Sequence, residues 1–229
     1  MSTRILDDSG IKFLLEAHSA IIKDSHFVYT EPKGHGDHGD AYVNKDALYP
    51  DPDAVSTLCY NLALRLKPVM DAHNIKAVVG PEKGGIILSQ WLTYHLNELH
   101  RGIGDERIHS TYAEKASETG FVLRRGYDKL VRGGKVIVVE DILNSGGSAA
   151  DAVTAVRNAG GDPIAVAAIC NRGKVTAEQL GVGHLVTLIS VDLKKYSEES
   201  CPICAAGLIP VRTDLGHGAG FLARKNKTA

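Results

Sequence analysis

The segment Val136-Ile-Val-Val-Glu-Asp-Ile-Leu-Asn-Ser-Gly-Gly-Ser148 constrains this chain more than any other. Val136 to Val139 are β-branched and apolar without a polar alternation, so they read as a strand buried on both faces, as in a parallel sheet covered by helices. The strand delivers two adjacent carboxylates, Glu140 and Asp141, to its carboxyl end. A small turn, Asn144 to Gly147, then opens a helix, with Ser148 or Ser145 as the expected cap. Amide N–H groups and hydroxyls in such a turn cradle a phosphate, and paired carboxylates accept hydrogen bonds from a ribose diol. The bland alternative is an ordinary strand–turn–helix crossing with two solvated acids. A Gly-rich turn alone would not decide the matter. The spacing of apolar run, two acids and small turn favours a sugar-phosphate site.

The rest of the chain supplies the crossovers that a parallel strand requires. Helical spacing covers Ser9–Ile22, Asp53–Ala72, Gly84–His100, Ser148–Ala159 and Val175–Leu180. Strand patterns cover Phe27–Thr30, Ala41–Leu48, Lys76–Gly80, Arg107–Thr111, Phe121–Arg124, Ile164–Cys170 and His184–Val191. Strands alternating with helices imply right-handed crossovers and an α/β fold with a mainly parallel, twisted sheet flanked by helices. The first 50 residues and the last 35 break the alternation and are expected to form a small hood. The division expected is therefore a hood segment at 1–50, an α/β core at 51–195 and a C-terminal extension at 196–229.

Charge and hydropathy narrow the class of partner. A net charge of −1 argues against broad attraction to nucleic acid or membranes. There is no long apolar run and no N-terminal signal pattern, so the expected location is the cytoplasm. Four cysteines in 229 residues do not make a disulfide framework. Cys59 and Cys170 read as core residues of a helix and a strand.

Several further segments carry candidate chemistry. Gly80-Pro-Glu-Lys-Gly-Gly85 follows a strand and precedes a helix, where glycines allow close backbone approach and the helix start favours an anion. A turn using glycine for its geometry alone is the plain alternative. Asn171-Arg172-Gly173 follows another strand, at the sheet edge that also carries Glu140, and Arg172 offers a planar fork for a carboxylate or amide oxygen. Tyr112-Ala-Glu-Lys-Ala-Ser-Glu-Thr-Gly120 has few apolar anchors and is expected to be a mobile connection. Glu31–Asp40, rich in Gly, His and Asp, has no helix or strand pattern. Its His35 and His38 are possible metal ligands, although such a run is more often a surface loop. Cys201-Pro-Ile-Cys204 has metal-ligand spacing. It lacks a second knuckle, so zinc would need histidines such as His217 or a second subunit.

The 136–148 block resembles the motif that binds phosphoribosyl pyrophosphate (PRPP) in type I phosphoribosyltransferases, and the chain is most similar to the orotate group among them. The resemblance implies the type I phosphoribosyltransferase fold with its hood. It places Glu140 and Asp141 on the ribose hydroxyls and Asn144, Ser145, Gly146, Gly147 and Ser148 on the 5-phosphate, with Asn144 where Thr is commoner. Pyrophosphate would lie on the turn containing Lys83, Gly84 and Gly85; Gly84 occupies the place where orotate enzymes often carry Lys. Arg172 would meet the base, with Asn171 in place of an Asp. Phe27 and Lys45, in segments similar to the orotate-enzyme hood, would cover the base and hold PRPP. Tyr112–Gly120 resembles the catalytic loop, in which Lys115 matches a basic residue while Glu114 and Glu118 stand where Arg and Lys are usual. A Cys-Pro-x-Cys ending occurs in a subgroup of these proteins, which supports the subgroup rather than a metal.

The implied activity is Mg²⁺-dependent transfer of phosphoribose from PRPP to a nucleobase, orotate first, with pyrophosphate released and Lys115 and Asp141 as catalytic residues. The resemblance also implies a homodimer with a shared active site. A salvage enzyme for a purine or another pyrimidine, and a non-catalytic PRPP-binding regulator, are the alternatives that Glu140 and Asp141 alone do not separate.

Overall fold

The computed structural model describes residues 4–30, 37–100, 107–116 and 120–228. The chain divides into two compact units. The larger comprises Met1–Lys12 and Tyr49–Val191, and the smaller Phe13–Leu48 and Asp192–Ala229. His35 and Glu118 lie outside the described residues.

The larger unit is built on six strands: β1 (Ile75–Pro81), β2 (His109–Lys115), β3 (Phe121–Val122), β4 (Lys135–Leu143), β5 (Asp162–Asn171) and β6 (His184–Ser190). Their order is β6-β5-β4-β1-β2-β3. All neighbours are parallel except β3, which returns antiparallel along β2. The helices α1 (Pro52–Ala72), α2 (Gly84–Leu99) and α3 (Gly147–Asn158) provide the main crossovers and cover. Asp51 caps α1 by accepting from the N–H groups of Asp53 and Ala54, and Pro52 sits in the first turn, where its missing N–H is harmless. In β4 the run Val136–Asp141 is buried without interruption. Each such apolar side chain contributes about 1.5–3 kcal/mol relative to exposure, which is why this strand occupies the middle of the sheet.

The chain starts the sheet at β1, builds outward through β2 and β3, then returns to place β4 on the other side of β1. The order therefore reverses between β1 and β4. At such a switch point the two following turns diverge and leave a crevice outside the carboxyl ends of the strands. The turns that open there are Glu82–Gly84 and Asn144–Gly146, two of the segments that the sequence singles out.

Several element boundaries differ from the sequence expectation. The strand read at 136–139 runs from Lys135 to Leu143, so Glu140 and Asp141 lie within it rather than beyond its end. Glu140 keeps its place in the ladder, opposite Ala168 of β5, although its side chain is acidic. The strand expected to stop at Thr111 continues to Lys115, and Glu114 and Lys115 pair with Val122 and Phe121. Polarity hid it: Tyr112 packs edge-on against Tyr127 at 5.1 Å, and Glu114 accepts from Arg125 Nε at 2.5 Å. A short helix at Tyr127–Val131 was not foreseen. Cys59 and Cys170 are core residues as expected, and burial pushes both thiols up, Cys170 to about 11.

In the smaller unit, Phe27–Val28, Asp37–Gly39 and Tyr196–Ser197 form an antiparallel sheet with Asp37–Gly39 in the middle. The Gly/His/Asp segment thus supplies a central strand where its composition predicts a loop. The helix expected over Ser9–Ile22 spans Asp8–Ala17. Ser19 then takes a left-handed φ of 54°, and Ile21–Ile22 pairs with Tyr42–Val43 as strand. Phe27 is fully buried, stacked on Tyr42 at 5.2 Å with the Arg212 guanidinium 5.7 Å from its ring centre. Among the described residues, no helix is long and apolar enough to cross a membrane.

Candidate active site

Three turns meet at the carboxyl edge of the sheet. The first follows β4. Glu140 and Asp141 are 7% and 3% exposed, whereas Asn144, Ser145, Gly147 and Ser148 are exposed. A buried carboxylate pair costs free energy unless it is satisfied. Asp141 Oδ1 accepts from its neighbour's N–H, Ile142, at 2.7 Å, and Oδ2 accepts from the Tyr49 hydroxyl at 2.6 Å. Glu140 Oε1 accepts from the Asp141 N–H at 3.0 Å. The acids are therefore held in fixed orientation beneath an exposed turn.

The expected serine cap is not what starts α3. The cap is Gly146, in the left-handed region at φ 80°, with no side-chain cap bond. Ser145 Oγ instead accepts from the Gly147 N–H at 3.4 Å, across the turn. The start of this twelve-residue helix, without a side-chain cap, leaves first-turn N–H groups facing the exposed turn, ready to donate to phosphate oxygens.

The second turn follows β1. A Cβ at Gly84 would lie 2.1 Å from the Tyr49 hydroxyl oxygen and 2.2 Å from Asp141 Oδ2. The glycine therefore lets the turn after β1 close directly onto the Asp141 carboxylate. Gly85 is buried beside it and Lys83 is exposed at the helix start. The peptide between Glu82 and Lys83 is cis. Glu82 joins this turn to β2: its N–H donates to the Ala113 carbonyl, and its Oε1 accepts from the Lys115 N–H at 2.8 Å. Lys115 is thereby fixed at the same edge, with an exposed side chain. The neighbouring Glu114 is not a free acid. Its hydrogen bond and charge raise the Arg125 guanidinium's affinity for its proton, so the pair is close to neutral as a unit.

The third turn follows β5. The N–H groups of Arg172 and Gly173 both donate to the Leu143 carbonyl at 3.0 Å, and Arg172 Nε donates to Asn144 Oδ1 at 3.2 Å. A Cβ on Gly173 would lie 1.4 Å from the Asn144 carbonyl oxygen. The turn after β5 is thus packed against the turn after β4. Asn171 closes its own turn by exchanging bonds with the Val175 backbone at 2.8 and 3.1 Å, a job an Asp side chain would do only in part, since it donates nothing.

The sequence expectations gather unevenly. Glu140, Asp141, Asn144 to Ser148, Lys83, Gly84, Gly85, Lys115 and Arg172 all occupy this one edge of the larger unit. Phe27 and Lys45 belong to the smaller unit, as do Cys201 and Cys204. Tyr49, Glu82 and Gly173 went unassigned in the sequence. Gly173 carried a signal, a glycine just past a strand end. Tyr49, in a gap before Pro50-Asp-Pro52, carried none.

With the geometry in place, comparison with known proteins is consistent with it. Residues 54–184 match the phosphoribosyl transferase domain family. The orotate phosphoribosyltransferase of Caldanaerobacter subterraneus subsp. tengcongensis is 30% identical over 190 residues, covering 82% of this chain and 87% of that protein. Among solved structures, the orotate phosphoribosyltransferase of Aeropyrum pernix superposes with a TM-score of 0.57 at 20% identity, over 79% of this chain and 93% of its own. The adenine phosphoribosyltransferase of Saccharomyces cerevisiae superposes almost as well, with a TM-score of 0.55 at 18% identity over 78% and 99%. At these identities the structures speak for the fold alone.

Proposed function

The chain belongs to the phosphoribosyltransferase family, and from that premise we propose that it joins orotate to PRPP with release of pyrophosphate. The observation that carries the reading is the switch-point crevice, where the buried Glu140–Asp141 pair lies beneath the exposed Asn144–Ser148 turn and against Gly84. Orotate is the preferred base because the sequence relatives that cover most of the chain are orotate enzymes.

In this reading Glu140 and Asp141 hold the ribose hydroxyls, and Asn144, Ser145, Gly146, Gly147 and Ser148 hold the 5-phosphate. Lys83, Gly84 and Gly85 receive the pyrophosphate, with the partner subunit's Lys115 neutralising its charge as it leaves. Phe27, fully buried between Tyr42 and the Arg212 guanidinium in the smaller unit, has no face left for a base, so it does not take the base-covering role that the resemblance gives it. The bond from ribose C1 to pyrophosphate breaks as the base nitrogen attacks C1. The protein's contribution is mostly positioning and electrostatic stabilisation of the leaving group. Glu140 and Asp141 are hard oxygen donors and suit Mg²⁺, which binds through one or two carboxylates together with substrate oxygens. When bound, it would offset charge on the pyrophosphate.

A panel of bases offered with PRPP and Mg²⁺, read by pyrophosphate release, tests the assignment. Orotate should turn over fastest. Release with adenine or another base but not orotate would move the protein to salvage, and PRPP binding without release for any base would make it a regulator.

Arg172 is assigned to the base. Arg172→Ala should raise the Michaelis constant for orotate by roughly tenfold to a hundredfold, corresponding to the 1.5–3 kcal/mol of a charged hydrogen bond. Because Arg172 also holds Asn144, the constant for PRPP should rise too, but less. Equal increases for both substrates would remove Arg172 from base selection and leave it as a brace for the phosphate turn.

We also propose a homodimer in which Lys115 serves the partner's site, as the family loop does. Mixing Lys115→Ala protein with Asp141→Asn protein, each inactive alone, should then restore part of the activity through hybrid dimers. Subunit exchange without restored activity would place Lys115 in its own chain's site, and a monomer in sedimentation would end the proposal.

A further inference from the structure

Outside the switch-point crevice, the smaller unit draws four side chains with metal-ligating atoms into one cluster. His26 precedes the strand Phe27–Val28, and His38 lies in the strand Asp37–Gly39 paired with it. Cys201 and Cys204 flank and enter the short helix Pro202–Ala206. His26 Nε2 lies 3.0 Å from His38 Nδ1. Cys204 Sγ lies 3.2 Å from that same nitrogen and 3.5 Å from His26 Nε2, and Cys201 Sγ lies 3.7 Å from His26 Nε2. All four ligand atoms fall within 4.8 Å of one another.

We propose that His26, His38, Cys201 and Cys204 bind one structural Zn²⁺. A tetrahedral zinc with Zn–N of about 2.0–2.1 Å and Zn–S of about 2.3 Å separates its ligand atoms by roughly 3.3–3.8 Å. The four closest separations, 3.0–3.7 Å, lie within a few tenths of an ångström of that range, and no pair of ligand atoms is more than 4.8 Å apart. Hydrogen bonding alone explains the cluster poorly. Two imidazole nitrogens and two thiols that face one another share few hydrogens, and thiols are weak donors. His38 is fully buried, and its other ring nitrogen, Nε2, has no hydrogen-bond partner. The ring is oriented by what Nδ1 meets and by its edge contact with Phe221 at 4.8 Å.

The donor set selects the ion. Two thiolates and two imidazoles with no carboxylate suit a borderline-soft cation, and four protein ligands close the coordination sphere, as in structural rather than catalytic zinc sites. Mg²⁺, which demands oxygen, is excluded by the same chemistry.

The site has a structural task. Its ligands come from the two sequence stretches that make up the smaller unit, with 163 residues separating His38 from Cys201 in number. That unit has strands of only two or three residues and few large buried side chains, and small scaffolds of this kind need a staple. His217, a ligand candidate on sequence grounds, is used differently: its backbone N–H donates to the Val28 carbonyl.

The test requires no substrate, so it stands or falls apart from the transferase reading. The full-length protein, purified reduced and without a metal-affinity tag, should carry about one zinc per chain by elemental analysis. Replacing zinc by Co²⁺ should give the visible absorption of a tetrahedral site with thiolate ligands. Chelation should expose two reactive thiols and lower the unfolding temperature, and adding Zn²⁺ should reverse both. Cys204→Ser and His38→Ala should bind Zn²⁺ at least about tenfold more weakly, while His217→Ala should not. If the serine variant does not fold, the cobalt spectrum and thiol count of the wild type still decide. Folded, reduced wild-type protein that takes up neither Zn²⁺ nor Co²⁺ would overturn the proposal, as would a native Cys201–Cys204 disulfide by mass spectrometry or unchanged affinity in His38→Ala.

Discussion

Asp141→Asn should lower kcat/KM by at least about a hundredfold while leaving the unfolding temperature within a few degrees of wild type. The asymmetry between the two readouts follows from the position of the side chain. Asp141 lies in a strand whose hydrogen-bonded ladder does not depend on its carboxylate. The amide is nearly isosteric, and its oxygen keeps one of the two acceptor positions that Ile142 N–H and the Tyr49 hydroxyl occupy. What is lost is the negative charge and the second acceptor, in a site only 3% exposed, where charge–dipole interactions are poorly screened. A ribose hydroxyl that donates to a carboxylate in the ground state donates more strongly as positive charge grows at C1, so the loss falls mainly on kcat. Wild-type PRPP affinity in calorimetry, together with wild-type turnover, would place the ribose site elsewhere.

Gly173→Ala is the second large effect, and it comes from a position with no chemical group. Its added methyl would require a separation of 1.4 Å from the Asn144 carbonyl oxygen, a backbone atom that cannot rotate away. The Asn171–Gly173 and Asn144–Gly146 turns must therefore separate, breaking the pair of N–H bonds to Leu143 O and the Arg172–Asn144 contact. Overpacking of this kind costs about 1–3 kcal/mol, and lost hydrogen bonds add to it. For a protein of this size that should appear as a fall in the unfolding temperature of roughly 5–10 °C. The Michaelis constant for PRPP should rise about tenfold, because the phosphate turn is displaced although none of its residues is changed. Unchanged stability and PRPP kinetics would mean that the two turns do not depend on one another.

The core was legible because its signals are local and redundant. Val136–Val139, the two acids and the small turn each point to a parallel strand feeding an anion site, and the alternating pattern from Asp53 to His184 fixes the fold class. The continuation of β2 through Tyr112–Lys115 is not legible in the sequence because its stability resides in pairings between residues that look soluble one at a time. Tyr112 needs Tyr127, and Glu114 needs Arg125, to make a packed strand. Ser145 and Ser148 were expected as caps because hydroxyl residues usually fill that role, but the left-handed φ of Gly146 ends the turn without them. Tyr49 was invisible for a different reason: its partner is distant in sequence, and no periodicity reports such a contact. The ligand set proposed for zinc had the same difficulty. The Cys-x-x-Cys spacing was plain, but which histidines join it is decided only when the Gly/His/Asp segment pairs with Phe27–Val28.

The smaller unit is assembled from the first and last portions of the chain, and this sets an order on its biogenesis. On the ribosome the segment Phe13–Leu48 emerges early, yet the residues that complete its sheet, Tyr196–Ser197, emerge only after the six-stranded sheet has been fully translated. Domains generally fold as units while synthesis proceeds. The early segment must therefore wait as an unfinished pair of strands while Tyr49–Val191 becomes available to fold. In that interval Phe27 lacks the Arg212 guanidinium that covers its ring, and the Val28 carbonyl lacks the His217 N–H that bonds it.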